Sequence, residues 1–264
     1  MFAELRQWYT LRHVLINFVR RDLRLRYVGS AMGLFWSVLN PLIMLVVFTY
    51  VFSAVLKIKF GSDPSTRHFA LYLFCGMLPW MTFQETTLRS TNSMVENASL
   101  IKRVSFPPQI VPVYLWISSF TAQLVGLAIL SLATLYLVRS LSPVILFLPV
   151  LVLLQFLFTL GLSWFLAALN VFFRDTLQIM SALFMLWMYL TPIFYPASIV
   201  PEEFRFFLTV NPIAHLVQAY RDLFLNQRLP AFSSMLILTV VSLVVFVLGS
   251  RFFRRFAPRF PDLV

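Results

Sequence analysis

The run VILFLPVLVLLQFLFTLGLSWFLAALNVFF, residues 144–173, contains no Asp, Glu, Lys or Arg and is part of a longer uncharged run, 140–173. A transmembrane helix needs about 20 consecutive apolar residues, so this run is long enough to cross a bilayer. Four more uncharged runs of sufficient length occur at 27–56, 104–138, 176–201 and 229–250. These runs decide the fold class and predict an all-α polytopic membrane protein.

The composition supports the same fold class. Hydrophobic residues make up 60% of the 264 residues and charged residues only 12%, whereas soluble domains are about 25% charged. A water-soluble enzyme is therefore excluded. The single cysteine, Cys75, cannot form an internal disulfide framework or a cysteine-based metal cluster.

A sixth span is predicted where an apolar run, 68–84, continues at helical length through Glu85, Arg89 and Glu96. The six predicted spans are 31–56, 68–96, 109–138, 144–170, 176–195 and 231–252. An even number of spans places both termini on one side. The excess of Lys and Arg beside the helices assigns that side to the cytoplasm by the positive-inside rule. The net charge of +11 is then a topological signal, and no nucleic-acid partner is expected.

An amphipathic helix is predicted over residues 4–28. At 100° per residue, its basic side chains lie opposite its apolar ones, as in a helix that lies flat on a membrane. The four basic residues nearest the first span are Arg20, Arg21, Arg24 and Arg26. Two roles remain open for them: anchoring to anionic lipid, or contact with a partner or an anionic substrate headgroup.

The segment 196–230 is apolar but is interrupted by Pro201 and Pro212. These prolines divide it into short helices that cannot cross a bilayer. We expect them to re-enter the outer leaflet, where irregular backbone must be surrounded by protein or a water-filled cavity.

The second predicted span is unusually polar. Glu85 and Arg89 are spaced to form an i,i+4 pair, and polar groups in a span generally face the bundle interior or an aqueous lumen. The span is therefore predicted to line a pathway, with simple interhelical bonding as the alternative. Aromatic rings could stack on sugars along that pathway, or could serve only packing and the membrane interface. The candidates for the pathway are Trp36, Trp80, Phe83, Glu85, Arg89, Trp187, Tyr189 and Tyr195.

No catalytic or nucleotide-binding constellation is visible in the sequence. The three histidines lie in separate segments without metal-ligand spacing, and the adjacent acids Glu202 and Glu203 follow Pro201 as at a helix N-terminus. None of the seven glycines opens a G-x-x-x-x-G-K-[ST] phosphate loop. The chain is predicted to bind no metal or cofactor and not to be an enzyme. If it drives transport, the energy would come from an ion gradient or from another subunit. The lack of charges inside the third to fifth spans and of an internal repeat favours another subunit.

A short amphipathic element is predicted between the second and third spans, at 98–106. It is stopped by Pro107 and Pro108, which cannot extend a helix. Such an element is either an ordinary basic loop or a knob that enters a groove on a soluble partner.

Nine short motifs follow one another along the chain: RDLRLRYVGS at 21–30, GLFW at 33–36, NPL at 40–42, GMLPW at 76–80, LIKRVSFP at 100–107, NVFFRD at 170–175, TPIFY at 191–195, NP at 211–212 and YR at 220–221. Together they resemble the motifs of the ABC-2 type polysaccharide exporter permeases. Their order and spacing cover nearly the whole chain.

This resemblance implies a homodimer in the bacterial inner membrane, paired with two copies of a cytoplasmic ABC ATPase that binds ATP and magnesium. The exported cargo would be a lipid-linked polysaccharide, with O-antigen favoured and capsule, teichoic acid or a small lipid or drug as alternatives. Residues 98–106 would be the coupling helix, 4–28 the interface helix, with its arginines meeting a lipid pyrophosphate, and 196–230 the periplasmic gate. ATPase contacts would come from Leu100, Ile101, Lys102, Arg103, Val104, Phe106, Arg174 and Asp175. A rival of another class is a membrane-embedded glycan or lipid transferase.

Overall fold

The fold was determined from a computed structural model. It describes residues 2–27, 66–102, 106–139 and 142–264, together with residues 35, 36, 39, 42, 43, 46, 47 and 50–55. The predicted first span, 31–56, therefore lies mostly outside the described residues, and Arg103 and Val104 lie wholly outside them.

Within these residues the chain is all-helical, as predicted. The α-helices are α1 (Phe2–Tyr27), α2 (Thr66–Glu96), α3 (Ala98–Ile101), α4 (Ile110–Val138), α5 (Leu148–Phe172), α6 (Thr176–Leu190), α7 (Arg205–Val210), α8 (Pro212–Phe224), α9 (Phe232–Phe256) and α10 (Phe260–Leu263). Short 3₁₀ turns occur at Pro143–Phe147, Ala197–Ile199, Glu202–Phe204 and Ala257–Arg259, and a π-helical turn occurs at Tyr50–Val55.

The local sequence explains where helix α8 begins. The Asn211 side chain accepts hydrogen bonds from the backbone N–H groups of Ile213 and Ala214, at 3.0 and 3.4 Å, and so caps α8. Pro212 follows at the first helical position, where its fixed φ and missing N–H cost nothing. The Asn-Pro pair is thus the start signal of α8.

Helix α2 is the centre of the bundle, because it packs against α4, α5, α6 and α8. Two apolar clusters lie along it. The first surrounds the N-terminal half of α2 and includes α8, and the second joins Met94 near its C-terminal end to Ile101, Phe253 and Phe260. The two clusters mark the two ends of the bundle.

Helices α5 and α9 cross in backbone contact at Gly161 and Gly249. A Cβ atom added to Gly249 would lie 1.9 Å from the Gly161 carbonyl oxygen, and one added to Gly161 would lie 2.5 Å from the Val245 backbone. Without side chains the two helices approach more closely than any other residue allows, as is common for helix pairs in membranes.

Three helical segments among the described residues are long and apolar enough to cross a membrane: Ile110–Tyr136, Pro143–Phe172 and Phe232–Leu263. Each overlaps a predicted span. Helix α6 is apolar but shorter, and α2 has the length of a span but carries polar residues along its C-terminal half. The chain is therefore a membrane protein by composition and helix length.

We expect Gly249→Val to abolish the α5–α9 crossing, because the new side chain would meet backbone that cannot move aside. Overpacking typically costs about 1–3 kcal/mol, and this contact is with rigid backbone. Thermal unfolding in detergent, followed by size-exclusion chromatography, measures the loss. Gly126→Ala is the matched control, since its new Cβ would meet only the flexible end of Leu78. Equal unfolding temperatures for the two variants would contradict the close crossing.

Candidate functional site

A network of two carboxylates and two arginines joins α1 to α2. The Asp22 carboxylate accepts hydrogen bonds from Arg26 Nε at 3.1 Å and from both terminal nitrogens of Arg89, Nη1 at 3.2 Å. Glu85 Oε1 lies 2.6 Å from Arg26 Nη2 and 3.7 Å from Arg89 Nη1. The predicted pairing of Glu85 with Arg89 is therefore present, but Asp22 is the stronger partner of Arg89.

Helix α4 completes this network with two serines. Ser118 donates to the Asp22 carboxylate, and Arg26 Nη2 donates to Ser119 Oγ at 3.0 Å. The Asp22 side chain is only 12% exposed. Burial by itself raises the pKa of Asp22, but the hydrogen bonds from Arg89 and Ser118 and the charges of Arg89 and Arg26 together lower it below its ordinary value. Asp22 is therefore ionised and ties three helices together.

The predicted basic face of α1 is divided by the fold. The side chains of Arg20, Arg21 and Arg24 are exposed, whereas that of Arg26 is only 16% exposed and belongs to the network. The opposite, apolar face of α1 packs through Leu15, Phe18 and Val19 into the second core cluster. The exposed arginines line an open groove of about 430 Å³, together with Asn17 and Leu25.

A second, smaller cavity of about 170 Å³ lies between α1, α2 and α4. Arg21 and Leu25 line both this cavity and the basic groove, so the two spaces adjoin. The remaining lining residues are Phe18, Asp22, Arg89, Ser93, Glu96, Asn97, Tyr114 and Leu115. The groove thus offers guanidinium groups, and the cavity offers mixed polar groups beside aromatic rings.

The structure brings three of the predicted pathway aromatics together inside the chain. Trp80 and Phe83 are buried, and their rings pack edge-on against Trp187 at centroid distances of 6.3 and 5.3 Å. Phe158 and Phe184 complete this aromatic cluster. Pairs of this geometry contribute about 0.5–1.5 kcal/mol beyond area burial.

The other predicted pathway residues do not share that cluster. Tyr189 is 61% exposed and Trp36 is 38% exposed. Tyr195 is half-buried and its hydroxyl donates to the Tyr189 carbonyl at 2.8 Å. The Glu85 and Arg89 side chains remain 39% and 32% exposed beside the α1 network.

The predicted ATPase-contact residues fall into two places. Ile101, in α3, is buried, while Lys102 at its C-terminal end is exposed and Leu100 is half-buried. Phe106 is half-buried and its ring lies 5.7 Å from that of Phe18. Arg174 and Asp175 are exposed in the turn between α5 and α6.

At the other end of the bundle, Arg221 of α8 is a buried cation. Its Nη1 and Nη2 atoms donate to the carbonyls of Pro192 and Ile193 at 2.7 and 2.8 Å. Its guanidinium carbon lies 3.4 Å from the centre of the Tyr72 ring, and the residue is 2% exposed. Arg221 thereby fastens α8 to α2 and to the chain that follows α6.

Residues 14–225 match the family of ABC-2 type transporters. The chain belongs to the ABC-2 type transporter family. The family resemblance predicted from the sequence is confirmed, and the chain is a membrane component of a transport system rather than a soluble catalyst.

Relatives named as O-antigen export system permeases align with 95–100% of the chain. An O-antigen export system permease from Myxococcus xanthus is 32% identical over 267 residues, which span 100% of both chains. Two O-antigen export system permeases from Klebsiella pneumoniae are 29% and 28% identical over 258 residues, which span 95% of each chain.

Sequence reasoning missed several residues that organise this ABC-2 chain. In the stretch 20–26, Asp22 is the one acidic residue among four arginines. This isolation is the sequence feature that could have identified Asp22 as their partner. Gln123 and Gln155 lie in uncharged spans, and their side-chain amides exchange hydrogen bonds of 3.0 and 2.9 Å. The Tyr220 hydroxyl also donates to Gln155 Oε1. A side-chain amide in a span needs such partners, because lipid offers none.

We expect Asp22→Asn to loosen α1 from α2, because Arg26 and Arg89 would lose a charged acceptor. Hydrogen bonds to charged groups contribute about 1.5–3 kcal/mol, so the unfolding temperature in detergent should fall. Limited proteolysis of α1 measures the loosening directly. Asp175→Asn, at an exposed turn, is the control and should leave both readouts unchanged.

The stabilisation that Asp22 contributes should decrease in acid. Since the folded-state pKa of Asp22 is lowered, its stabilisation is complete above the ordinary pKa and is lost as the pH falls through the folded value. The difference in unfolding temperature between wild type and Asp22→Asn should be constant from about pH 5 upward and shrink in stronger acid. A difference that grows on acidification would contradict the ion-pair assignment.

We expect Arg221→Met to destabilise the α8 end of the bundle by about 1–3 kcal/mol, because two buried carbonyls lose their donors. Thermal unfolding in detergent measures the change. Arg205→Met is the matched control: its ion pair with Glu202 is exposed, and exposed pairs contribute little. Similar decreases in unfolding temperature from both substitutions would show that Arg221 does not hold α8 in place.

Proposed function

We propose that this chain is the transmembrane permease subunit of an ATP-driven transporter that exports a lipid-linked polysaccharide across the bacterial inner membrane, with O-antigen as the favoured cargo. The observation that carries the proposal is the full-length likeness to a permease named for O-antigen export. The exposed arginine groove on α1 supports it, since arginine suits bidentate contact with phosphate.

The proposed assembly is a homodimer with two copies of a cytoplasmic ABC ATPase. The sequence offers no phosphate loop for ATP, so ATP and magnesium would be bound by the partner. The exposed positions Lys102, Arg174 and Asp175 are candidates for that contact. Ile101 is buried, and we propose that it holds the coupling segment in place from inside.

The proposed topology has six spans, both termini in the cytoplasm and a re-entrant outer segment at 196–230. The three long apolar segments support half of this number, and α2, α6 and 31–56 would supply the rest. Helices α7 and α8, with six and thirteen residues, are too short to cross a bilayer, which supports the re-entrant assignment. Arg221 would fix α8 as part of a periplasmic gate.

The proposed headgroup site is the groove of Arg20, Arg21 and Arg24, which would take the pyrophosphate of the lipid carrier. The adjoining cavity would receive the first sugar, because Ser93, Glu96 and Asn97 line it with polar groups that can meet hydroxyls. Arg26 has a different proposed role, since its guanidinium is held by Asp22 and Glu85. Farther along, Trp36 and Tyr189 expose the ring surface that a glycan pathway needs.

We expect Arg20→Gln/Arg24→Gln to reduce polysaccharide export about tenfold or more, because each lost charge-assisted phosphate contact contributes about 1.5–3 kcal/mol. Export is measured as glycan at the cell surface. Complex integrity is measured as MgATP hydrolysis that co-purifies with the tagged chain, and it should remain at the wild-type level.

The control for charge alone is Arg251→Gln/Arg255→Gln, which removes two exposed arginines from the end of α9. Export should be unaffected by this change. Equal losses from both pairs would assign the arginines to lipid anchoring, and unchanged export in the α1 pair would rule out headgroup binding. A wild-type chain that carries no ATPase, or that modifies glycans by itself, would overturn the proposed function.

A further inference from the structure

The last helix of the chain has a single buried anchor. Phe260 is 0% exposed, whereas Pro261, Asp262 and Leu263 of the same helix are exposed. The Phe260 ring meets the buried Phe253 ring edge-on at a centroid distance of 5.2 Å. The 3₁₀ turn Ala257–Arg259 thus joins α9 to α10, and Phe260 is the residue of α10 that packs into the bundle.

Helix α10 contacts both α5 and α3. Phe260 belongs to the same apolar cluster as Ile101, the buried side chain of α3, and Val264 packs against that cluster. The C-terminus of the chain thus reaches the segment between the second and third predicted spans, across more than half of the sequence.

Helix α3 cannot hold its own position. It contains four residues, and helices this short are unstable without tertiary contacts. The side-chain oxygen of its N-cap residue, Asn97, accepts no capping hydrogen bond, and the Asn97 amide donates to the Ser93 carbonyl at 2.9 Å. The placement of α3 therefore depends on the burial of Ile101 against its neighbours.

We propose that α10 is a brace, and that Phe260 is a positioning residue that holds α3 in the orientation in which the ATPase subunit engages it. This inference rests on the proposed function, in which α3 belongs to the coupling segment. Since α10 continues from α9, the brace also ties the coupling segment to the α5–α9 pair. A shift of α3 on the ATPase would then be transmitted to the last long helix.

The test compares Phe260→Ala with Leu263→Ala in the tagged full-length chain, purified from its native membrane. Leu263 is 43% exposed on the same helix and is the matched control. MgATP hydrolysis that co-purifies per mole of chain should fall about tenfold with Phe260→Ala, a change of ~1.4 kcal/mol in association. It should stay at the wild-type level with Leu263→Ala and return to near that level with Phe260→Met, which refills most of the space.

Two further measurements separate bracing from general damage. Truncating a fully buried phenylalanine leaves a cavity that destabilises the fold, so Phe260→Ala should also lower the unfolding temperature. Phe184→Ala, which truncates an equally buried ring in the other apolar cluster, should lower it similarly but leave the associated ATPase at the wild-type level. Ile101→Ala/Phe260→Ala should lose no more associated ATPase than the worse single variant, since residues that act through one contact are not additive.

Wild-type association in Phe260→Ala, or additive losses in the double variant, would overturn the brace. A larger loss with Leu263→Ala than with Phe260→Ala would show that α10 docks the ATPase directly instead. If the wild-type chain carries no ATPase at all, the proposed function fails, and that outcome is distinct from failure of the brace.

Discussion

The arrangement of α1, α2 and α4 depends on one carboxylate. Asp22 accepts from Arg26, Arg89 and Ser118 at once, and so gives each cation a partner at the margin of an apolar bundle. A charge without a partner at such a place is costly, because lipid cannot solvate it. Glu85 reaches Arg89 only at 3.7 Å, so the close hydrogen bonds to Arg89 come from Asp22 and hold α1 against α2. In this position Arg20, Arg21 and Arg24 are exposed.

This constraint gives neighbouring residues of the same type different roles. Arg24 and Arg26 are two positions apart on one helix, yet Arg24 lines an open groove and Arg26 is enclosed between two carboxylates. The first is available to an anionic ligand and the second maintains the scaffold. Pairing within the protein, rather than charge alone, decides which arginines can serve a substrate.

Apart from the Asp22 network, two parts of the bundle are stabilised by different means. Near α8, buried polar side chains are held by hydrogen bonds in the Gln123–Gln155–Tyr220 cluster and around Arg221. At the other end, apolar side chains of α3, α9 and α10 meet around Phe260. Hydrogen-bond networks specify one geometry, whereas the apolar cluster around Phe260 is held by packing without directional bonds.

The sequence by itself determined the all-α class, three long apolar segments and the resemblance to ABC-2 exporters, because long uncharged runs have few solutions in a membrane and local motifs keep their spacing. It also gave the pairing of Glu85 with Arg89, which is a contact within one helix turn. Only the tertiary structure decided that Asp22 contacts Arg89 of that pair. It also decided that Trp80 and Phe83 are buried within the chain, and that Phe260 and Ile101 belong to one apolar cluster. These contacts join residues far apart in sequence, and no helical period or local spacing encodes which distant surfaces meet.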